Sequence, residues 1–96
     1  MSAAGAGQGH AVRAEREVEV GTELGLHARP AATFAETAAG FRAALTVAKN
    51  GSEVDATSLL LLLTLDVRRG DRLVIRGTGD DAAAAVDRLA GLLVGP

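Results

Sequence analysis

The sequence predicts an α+β fold, a two-layer open-faced β-sandwich in which three helices cover one face of a four-stranded antiparallel sheet. Four short stretches alternate polar and apolar residues, which is typical of strands with one buried face. Two other stretches repeat apolar residues three and four positions apart, as amphipathic helices do, and a leucine run behind a Thr-Ser pair predicts a third, short helix. The resulting order is β-α-β-β-α-β-α, and helices packed on one side of such a sheet give two layers.

The first strand and the first helix are joined by a loop. Residues 15–20 alternate acids with valines, which predicts a strand whose valines face inward. The loop covers residues 21–26. The helix behind it is predicted to run to about Ala39 and to bury one face made of Ala31, Phe34, Ala35 and Ala38. Gly40 stands where a left-handed C-terminal residue is expected.

A hairpin follows this helix. Residues 41–49 return to a period of two, with an inward face of Ala43, Leu45 and Val47. Asn50-Gly51 is a strong hairpin signal and favours a type I′ turn, because both residues tolerate positive φ. Residues 53–56 form the predicted return strand.

The last three elements complete the sheet and its cover. Thr57-Ser58 is expected to cap a short helix that ends near Leu65. Gly70-Asp71 turns the chain into a strand over residues 72–76. The final helix runs to about Leu93, and its helical spacing predicts a buried face of Ala82, Ala85, Val86, Leu89 and Leu93.

Composition excludes several classes of protein. The chain has 96 residues, no cysteine and a net charge of −2, so we expect neither a disulfide framework nor thiol chemistry. Without a basic face or an aromatic platform, nucleic-acid binding is not expected. The longest apolar run is too short to span a membrane and the N-terminus lacks signal-peptide features, so we expect a cytoplasmic protein without membrane insertion.

The domain is expected to occupy residues 15–96. Residues 1–14 are rich in glycine and alanine and have no hydrophobic period, which predicts a disordered tail. His10 lies in this tail, where nothing nearby would position it, and we expect a solvated side chain.

The loop before the first helix carries the chemistry. Pro30 suits the first turn of a helix, which places His27 at or next to the N-cap. The free amides of Ala28 and Arg29 and the positive end of the helix dipole would then form an anion site. The guanidinium of Arg29 can add charge-assisted bonds to phosphate oxygens. A nucleophilic nitrogen beside such a cradle indicates a phosphoryl group carried on the imidazole, and sequence alone leaves open which nitrogen.

The heptad from Gly25 to Ala31, GLHARPA, resembles the active-site signature of the HPr family, the small histidine phosphocarriers of the bacterial sugar phosphotransferase system. The resemblance extends from about Arg16 to Leu93. It implies the same β-α-β-β-α-β-α fold and a phosphoryl group on Nδ1 of His27, the pros nitrogen. It also implies enzyme I, charged by phosphoenolpyruvate, as the donor and IIA domains of sugar permeases as acceptors. The chain would be a carrier and not an enzyme with its own substrate pocket, and it would need no cofactor.

The leucine run suggests where a partner binds. Five successive leucines cover every direction around a helix, so one buried face cannot hide them all. If Leu62 and Leu65 point into the core, Leu60 and Leu61 are at least partly exposed. We therefore expect a docking surface made of Leu59, Leu60 and Leu61, as the family uses this helix. Self-association through these leucines is the alternative to the monomer that we expect.

Ser58 is a second candidate site. It aligns with the serine that a dedicated kinase phosphorylates in some Gram-positive members of the family. We favour a simple N-cap role, because the preceding residue is Thr57 where the regulated proteins often have a basic residue. A metal site is not expected, since His27 has no second histidine, cysteine or carboxylate at ligand spacing.

Two other functions remain open. The same chemistry could serve a nitrogen-related or dihydroxyacetone-kinase-linked branch. Alternatively, the chain could be a regulatory binding module without transfer activity, although such a module would have no need to keep both His27 and Arg29.

Overall fold

The computed structural model describes residues 12–22 and 25–94, which form four strands and three helices. In chain order these are β1 (Arg13–Glu19), α1 (Ala28–Ala39), β2 (Ala44–Lys49), β3 (Ser52–Asp55), α2 (Leu59–Thr64), β4 (Arg72–Thr78) and α3 (Ala82–Val94). The predicted element order is therefore confirmed. None of the helices in these two ranges is long and apolar enough to cross a membrane.

The four strands form one antiparallel sheet in the order β1-β4-β2-β3. Strand β4 is central and pairs with β1 on one side and β2 on the other, with Val18 opposite Leu73 and Val47 opposite Ile75. These four residues are buried, whereas the alternate residues of β4 face the open side. The three helices pack on the apolar face, and the predicted two-layer fold is confirmed.

The core consists of small aliphatic side chains around Phe34, which is fully buried on α1. Every residue predicted for the inner faces of the first and last helices is buried. Alanines on α1 and α3 permit close packing between the two helices and against the sheet. Among the described residues, the core has these members: Val18, Val20, Leu26, Ala31, Phe34, Ala35, Ala38, Ala43, Leu45, Val47, Ala56, Leu62, Leu65, Val67, Leu73, Ile75, Ala82, Ala85, Val86, Leu89, Ala90 and Leu93.

Two strands extend beyond their predicted bounds. Strand β1 begins at Arg13 and β4 continues to Thr78, because these two residues pair with each other and Ala44 pairs with Thr78 from the other side. Arg13 and Ala14, which were assigned to the tail, thus belong to β1. Residues 1–11 of the predicted tail, including His10, lie outside the described residues.

The end of α1 differs from the prediction. Gly40 has φ −76° and is right-handed, so the prediction of a left-handed residue is wrong. The amide of Gly40 donates to Thr37 O at 3.1 Å and that of Phe41 to Ala38 O at 3.2 Å. These bonds span three residues, so the last turn tightens instead of reversing its hand.

Strand β2 begins three residues later than predicted because a side chain takes the backbone amides before it. The carboxylate of Asp81, at the start of α3, accepts from the amides of Arg42 and Ala43 at 2.9 and 2.8 Å. Both bonds lower the pKa of Asp81, the Arg42 amide most. They hold the chain between α1 and β2 against the start of α3.

The β2–β3 hairpin has the predicted turn. Asn50 and Gly51 have φ values of 53° and 86°, and a type I′ turn requires positive values at both. Lys49 pairs with Ser52, so the return strand starts one residue earlier than predicted and ends at Asp55. Ala56, the last residue of the predicted strand, is buried directly after it.

Candidate functional site

His27 is the N-cap residue of α1. Its backbone is extended, with φ −79° and ψ −178°, and its carbonyl accepts the first helical hydrogen bond from the Ala31 amide at 2.8 Å. The side chain is exposed and, among the described residues, makes no capping hydrogen bond to the helix. The imidazole is therefore open to solvent and not held by the helix that follows it.

The first turn of α1 suits an anion. The amides of Ala28 and Arg29 have no carbonyl four residues earlier within the helix, and Pro30 has no amide hydrogen to satisfy. Within the described residues of this turn there is no carboxylate to compete with an anion, and the side chain of Arg29 is exposed. The predicted phosphate-binding residues thus lie together at one helix start.

A second loop supports the backbone before His27. The amide of Leu26 donates to the carbonyl oxygen of Val67 at 3.2 Å, and both side chains are buried. Gly25 has φ +60° and lies so close to this loop that an added Cβ would be 2.4 Å from the Val67 oxygen and 3.0 Å from the Cα of Arg68. Only glycine fits here without strain, which explains its place in the heptad.

A charged cluster that the sequence pattern did not predict holds the loop that carries Val67. Lys49 donates from Nζ to the Asp66 carbonyl at 2.6 Å and to the Asp71 carboxylate at 2.8 Å. The same carboxylate accepts from the amide of Arg68 at 2.8 Å. A signal was available, because the alternation of β2 places Lys49 on the inward face, where an unpaired charge is costly.

The prediction that Leu62 and Leu65 are buried and that Leu60 and Leu61 are exposed is confirmed. Leu62 is fully buried and Leu65 nearly so, whereas the exposed fractions of Leu60, Leu61 and Leu63 are 76%, 43% and 38%. We call these last three residues the leucine patch. Leu59, which was predicted to belong to the docking surface, is half-buried and packs against the core. Leu63 is exposed instead, although it was not predicted to belong to the docking surface.

Ser58 caps α2. Its hydroxyl oxygen accepts from the Leu61 amide at 3.2 Å, as an N-cap residue does. Its neighbours Thr57 and Leu59 line a groove with α1, whose share of the groove comes from Ala32, Ala35, Glu36 and Ala39. Ser58 therefore lies alongside the body of α1, whereas His27 precedes its first residue. The structure does not bring the two candidate sites together.

The segment that follows α2 contacts the loop before His27. Helix α2 ends at Thr64 and passes through Leu65 into the loop that holds Gly25 and Leu26. The leucine patch therefore lies on a helix whose first residues line the groove with α1 and whose following segment contacts the residue before His27. No group of three or more histidine, cysteine, aspartate or glutamate side chains within residues 12–22 and 25–94 could hold a metal ion.

Comparison with known proteins identifies the family. Residues 14–94 match the model of the PTS HPr component phosphorylation site. The phosphocarrier protein HPr of Streptomyces coelicolor is 43% identical over 81 residues, which cover 83% of this chain and 87% of that protein. The phosphocarrier protein NPr of Shewanella violacea is 38% identical over 79 residues, 82% of this chain and 87% of that protein.

Solved structures agree with the sequence matches. The crystal structure of a phosphocarrier protein HPr from Bacillus anthracis superposes with a TM-score of 0.83 at 33% identity, covering 85% of this chain and 98% of that one. The same element order, the same sheet and a family match over nearly the whole described range lead to one conclusion. The chain belongs to the HPr family of phosphocarrier proteins of the phosphotransferase system.

Proposed function

We propose that His27 accepts a phosphoryl group on Nδ1 from phosphorylated enzyme I and passes it to IIA domains of sugar permeases. Phosphoenolpyruvate would be the ultimate donor. The observation that carries the proposal is the exposed imidazole of His27 at the N-terminus of α1, next to the amides of Ala28 and Arg29.

The chemistry follows from this arrangement. A neutral imidazole nitrogen attacks the phosphorus, and the bond from phosphorus to the donor atom breaks as the P–N bond forms. The transferred oxygens carry negative charge that the helix N-terminus and the guanidinium of Arg29 can stabilise. Transfer to a IIA domain reverses the roles, with His27 as the leaving group.

The openness of the site suits a carrier. A phosphohistidine buried in a closed cage would be held too tightly for a second protein to remove it. Here a helix start and one exposed arginine supply a partial cradle. The donor or acceptor protein must complete the stabilisation of the transition state, so transfer requires a partner.

We place the partner's binding surface on the leucine patch and the adjoining groove between α1 and α2. Leu60, Leu61 and Leu63 expose apolar area that the core does not use, and exposed apolar patches mark protein interaction sites. The segment after α2 contacts the loop before His27, so we expect a partner seated on the leucine patch to reach the imidazole.

The nitrogen-related branch is the second candidate. It rests on one observation, the 38% identity with a protein named NPr, which is lower than the 43% identity with a protein named HPr. Both kinds of carrier would use His27 in the same way, and they differ in the donor and acceptor proteins.

The test is phosphorylation by purified enzyme I and phosphoenolpyruvate, with the modified residue mapped by mass spectrometry. We expect one acid-labile, base-stable phosphate on His27 and none in His27→Ala, which should keep its fold because the side chain is exposed. His10→Ala is the matched control and should be labelled like the parent protein. Label that persists in His27→Ala would refute the proposal. Faster labelling by the enzyme I of a nitrogen-related system would assign the chain to that branch.

A further inference from the structure

We propose that Lys49 and Asp71 are positioning residues for phosphoryl transfer, which hold the loop after α2 in the shape that places His27. This inference rests on the proposed function of His27. Neither residue belongs to the heptad around His27, and both act through the backbone of residues 66–68.

Lys49 forms an ion pair with Asp71 and also binds the backbone of the loop after α2. The ammonium group of Lys49 bridges the Asp66 carbonyl at 2.6 Å and the Asp71 carboxylate at 2.8 Å. The same Asp71 oxygen accepts from the Arg68 amide at 2.8 Å. One cation on β2 therefore ties together the two ends of a short segment whose middle residue is Val67.

The segment needs such support because its backbone is unusual. Asp66 has φ 50°, a left-handed value that is uncommon for a residue with a side chain. The Lys49 bond to the Asp66 carbonyl and the Arg68 bond to Asp71 fix the peptide groups on both sides of Val67. Without them, the segment would relax toward more ordinary backbone angles.

Residues 66–68 contact the backbone that precedes His27. The Val67 carbonyl accepts from Leu26, the residue before His27, and the backbone of Gly25 packs against Val67 and Arg68. A shift of the Val67 carbonyl would therefore move the peptide between Gly25 and Leu26, one residue before His27. His27 itself makes no side-chain bond to the helix among the described residues, so its imidazole is positioned through the backbone, which contacts the Val67 segment before His27 and belongs to the start of α1 after it.

The ion pair between Lys49 and Asp71 is partly shielded from solvent. The side chains of Lys49 and Asp71 are 17% and 29% exposed, which distinguishes them from the ion pairs on the open face of the sheet. The hydrogen bond from Lys49, followed by that from the Arg68 amide, lowers the pKa of Asp71. The partial shielding makes this pair a firmer clamp than a fully solvated one.

The expected consequence is a loss of transfer rate and not of partner binding. Enzyme I would dock on the leucine patch whether or not the loop is clamped, so the enzyme I concentration at half-maximal rate should stay the same. The maximal rate should fall, because a misplaced nucleophile spends less time in line with the phosphorus.

The test compares Lys49→Met and Asp71→Asn with the parent protein in single-turnover transfer from phosphorylated enzyme I. We expect a maximal rate roughly three- to tenfold lower in both variants, with an unchanged half-maximal concentration, since small displacements of reacting groups cost this much or more. Lys49→Arg, which keeps the cation, should recover most of the rate. Arg16→Met is the matched control, because it breaks an ion pair with Asp87 of α3 at 3.1 Å that does not touch this loop.

Amide hydrogen exchange supplies a readout that does not depend on phosphorylation. The Leu26 amide should exchange faster in Lys49→Met and Asp71→Asn than in the parent and in Arg16→Met. If Lys49→Met matches Arg16→Met in both transfer rate and Leu26 exchange, the inference is wrong. If the parent protein itself takes no phosphate on His27, the proposed function fails and positioning for transfer fails with it, whereas the exchange data still decide whether the clamp exists.

Discussion

Arg29 is the residue beside His27 whose contribution is easiest to measure. Its guanidinium is exposed and lies in the first turn of α1, two positions after the proposed phosphoacceptor. For Arg29→Ala we expect an unchanged fold and transfer slower by roughly ten- to a hundredfold, because a hydrogen bond to a charged group contributes about 1.5–3 kcal/mol.

The measurement is single-turnover transfer from phosphorylated enzyme I. Arg88→Ala removes another exposed arginine, which lies on α3, and should transfer at the parent rate. Equal rates in the two variants would mean that Arg29 is a solvated surface charge without a part in transfer.

Gly25 has a backbone conformation and a close neighbour that no other residue tolerates without strain. In Gly25→Ala the added Cβ would overlap the Val67 oxygen at 2.4 Å, and φ +60° disfavours any side chain. We expect a loss of more than about 1 kcal/mol in the free energy of unfolding, together with slower transfer as the loop shifts. Gly91→Ala is the control, since a Cβ there meets open space on α3 and should add roughly 0.5–1 kcal/mol. Denaturant melts that rank the two variants the other way would contradict this account of the loop.

At the scale of the element, α2 serves both the core and the surface. Leu62→Ala should cost about 2–5 kcal/mol of unfolding free energy, because Leu62 is fully buried. Leu60→Ser and Leu61→Ser should leave the melting temperature nearly unchanged and weaken enzyme I binding, as measured by titration calorimetry. If all three variants lost stability equally, the leucines would serve the core alone and the leucine patch would have no role in docking.

A substitution at the start of α2 tests whether Ser58 lies at the docking surface or only caps the helix. Ser58→Asp places a negative charge at the N-cap, where the first-turn amides favour it, so the melting temperature should not fall. The same charge lies next to the groove that we assign to the partner, and desolvating it on binding would lower the affinity for enzyme I. Ala83→Asp, in the first turn of α3, adds the charge elsewhere and should bind like the parent. Unimpaired binding by Ser58→Asp would place the helix start outside the docking surface.

For the whole molecule, Asp81 connects elements that are distant in the chain. Its pKa is lowered by the Arg42 amide and, less, by the Ala43 amide, so its stabilising effect is complete above its ordinary pKa of 3.8 and is lost as the pH falls below it. Asp81→Asn should therefore melt at a lower temperature than the parent at pH 7, with a smaller difference at pH 2.5. Asp87→Asn, at an exposed ion pair, should change little at pH 7. A difference that grew on acidification would contradict this role of Asp81.

Much of the secondary structure and burial of this protein could be predicted from local sequence patterns. Local patterns predicted all seven elements, the inner faces of α1 and α3 and the burial or exposure of four leucines (Leu60, Leu61, Leu62 and Leu65), but not the partial burial of Leu59 or the exposure of Leu63. These features depend on residues a few positions apart, and burying an apolar face is the same physical requirement in any surrounding. The place of His27 at the N-cap of α1 followed in the same way from Pro30 and the alanines behind it.

Contacts between distant segments were decided only by the tertiary structure. Strand β4 reaches Thr78 because it has neighbours on both sides, and β2 starts late because Asp81, 38 residues onward, takes the amide of Ala43. The clamp of Lys49 on Asp66 and Asp71 likewise joins β2 to the loop behind His27. No local period encodes these bonds, since each forms only once packing of the core has brought the two segments together. The sequence alone therefore determined where the proposed phosphoacceptor lies, and the tertiary structure determined what holds it there.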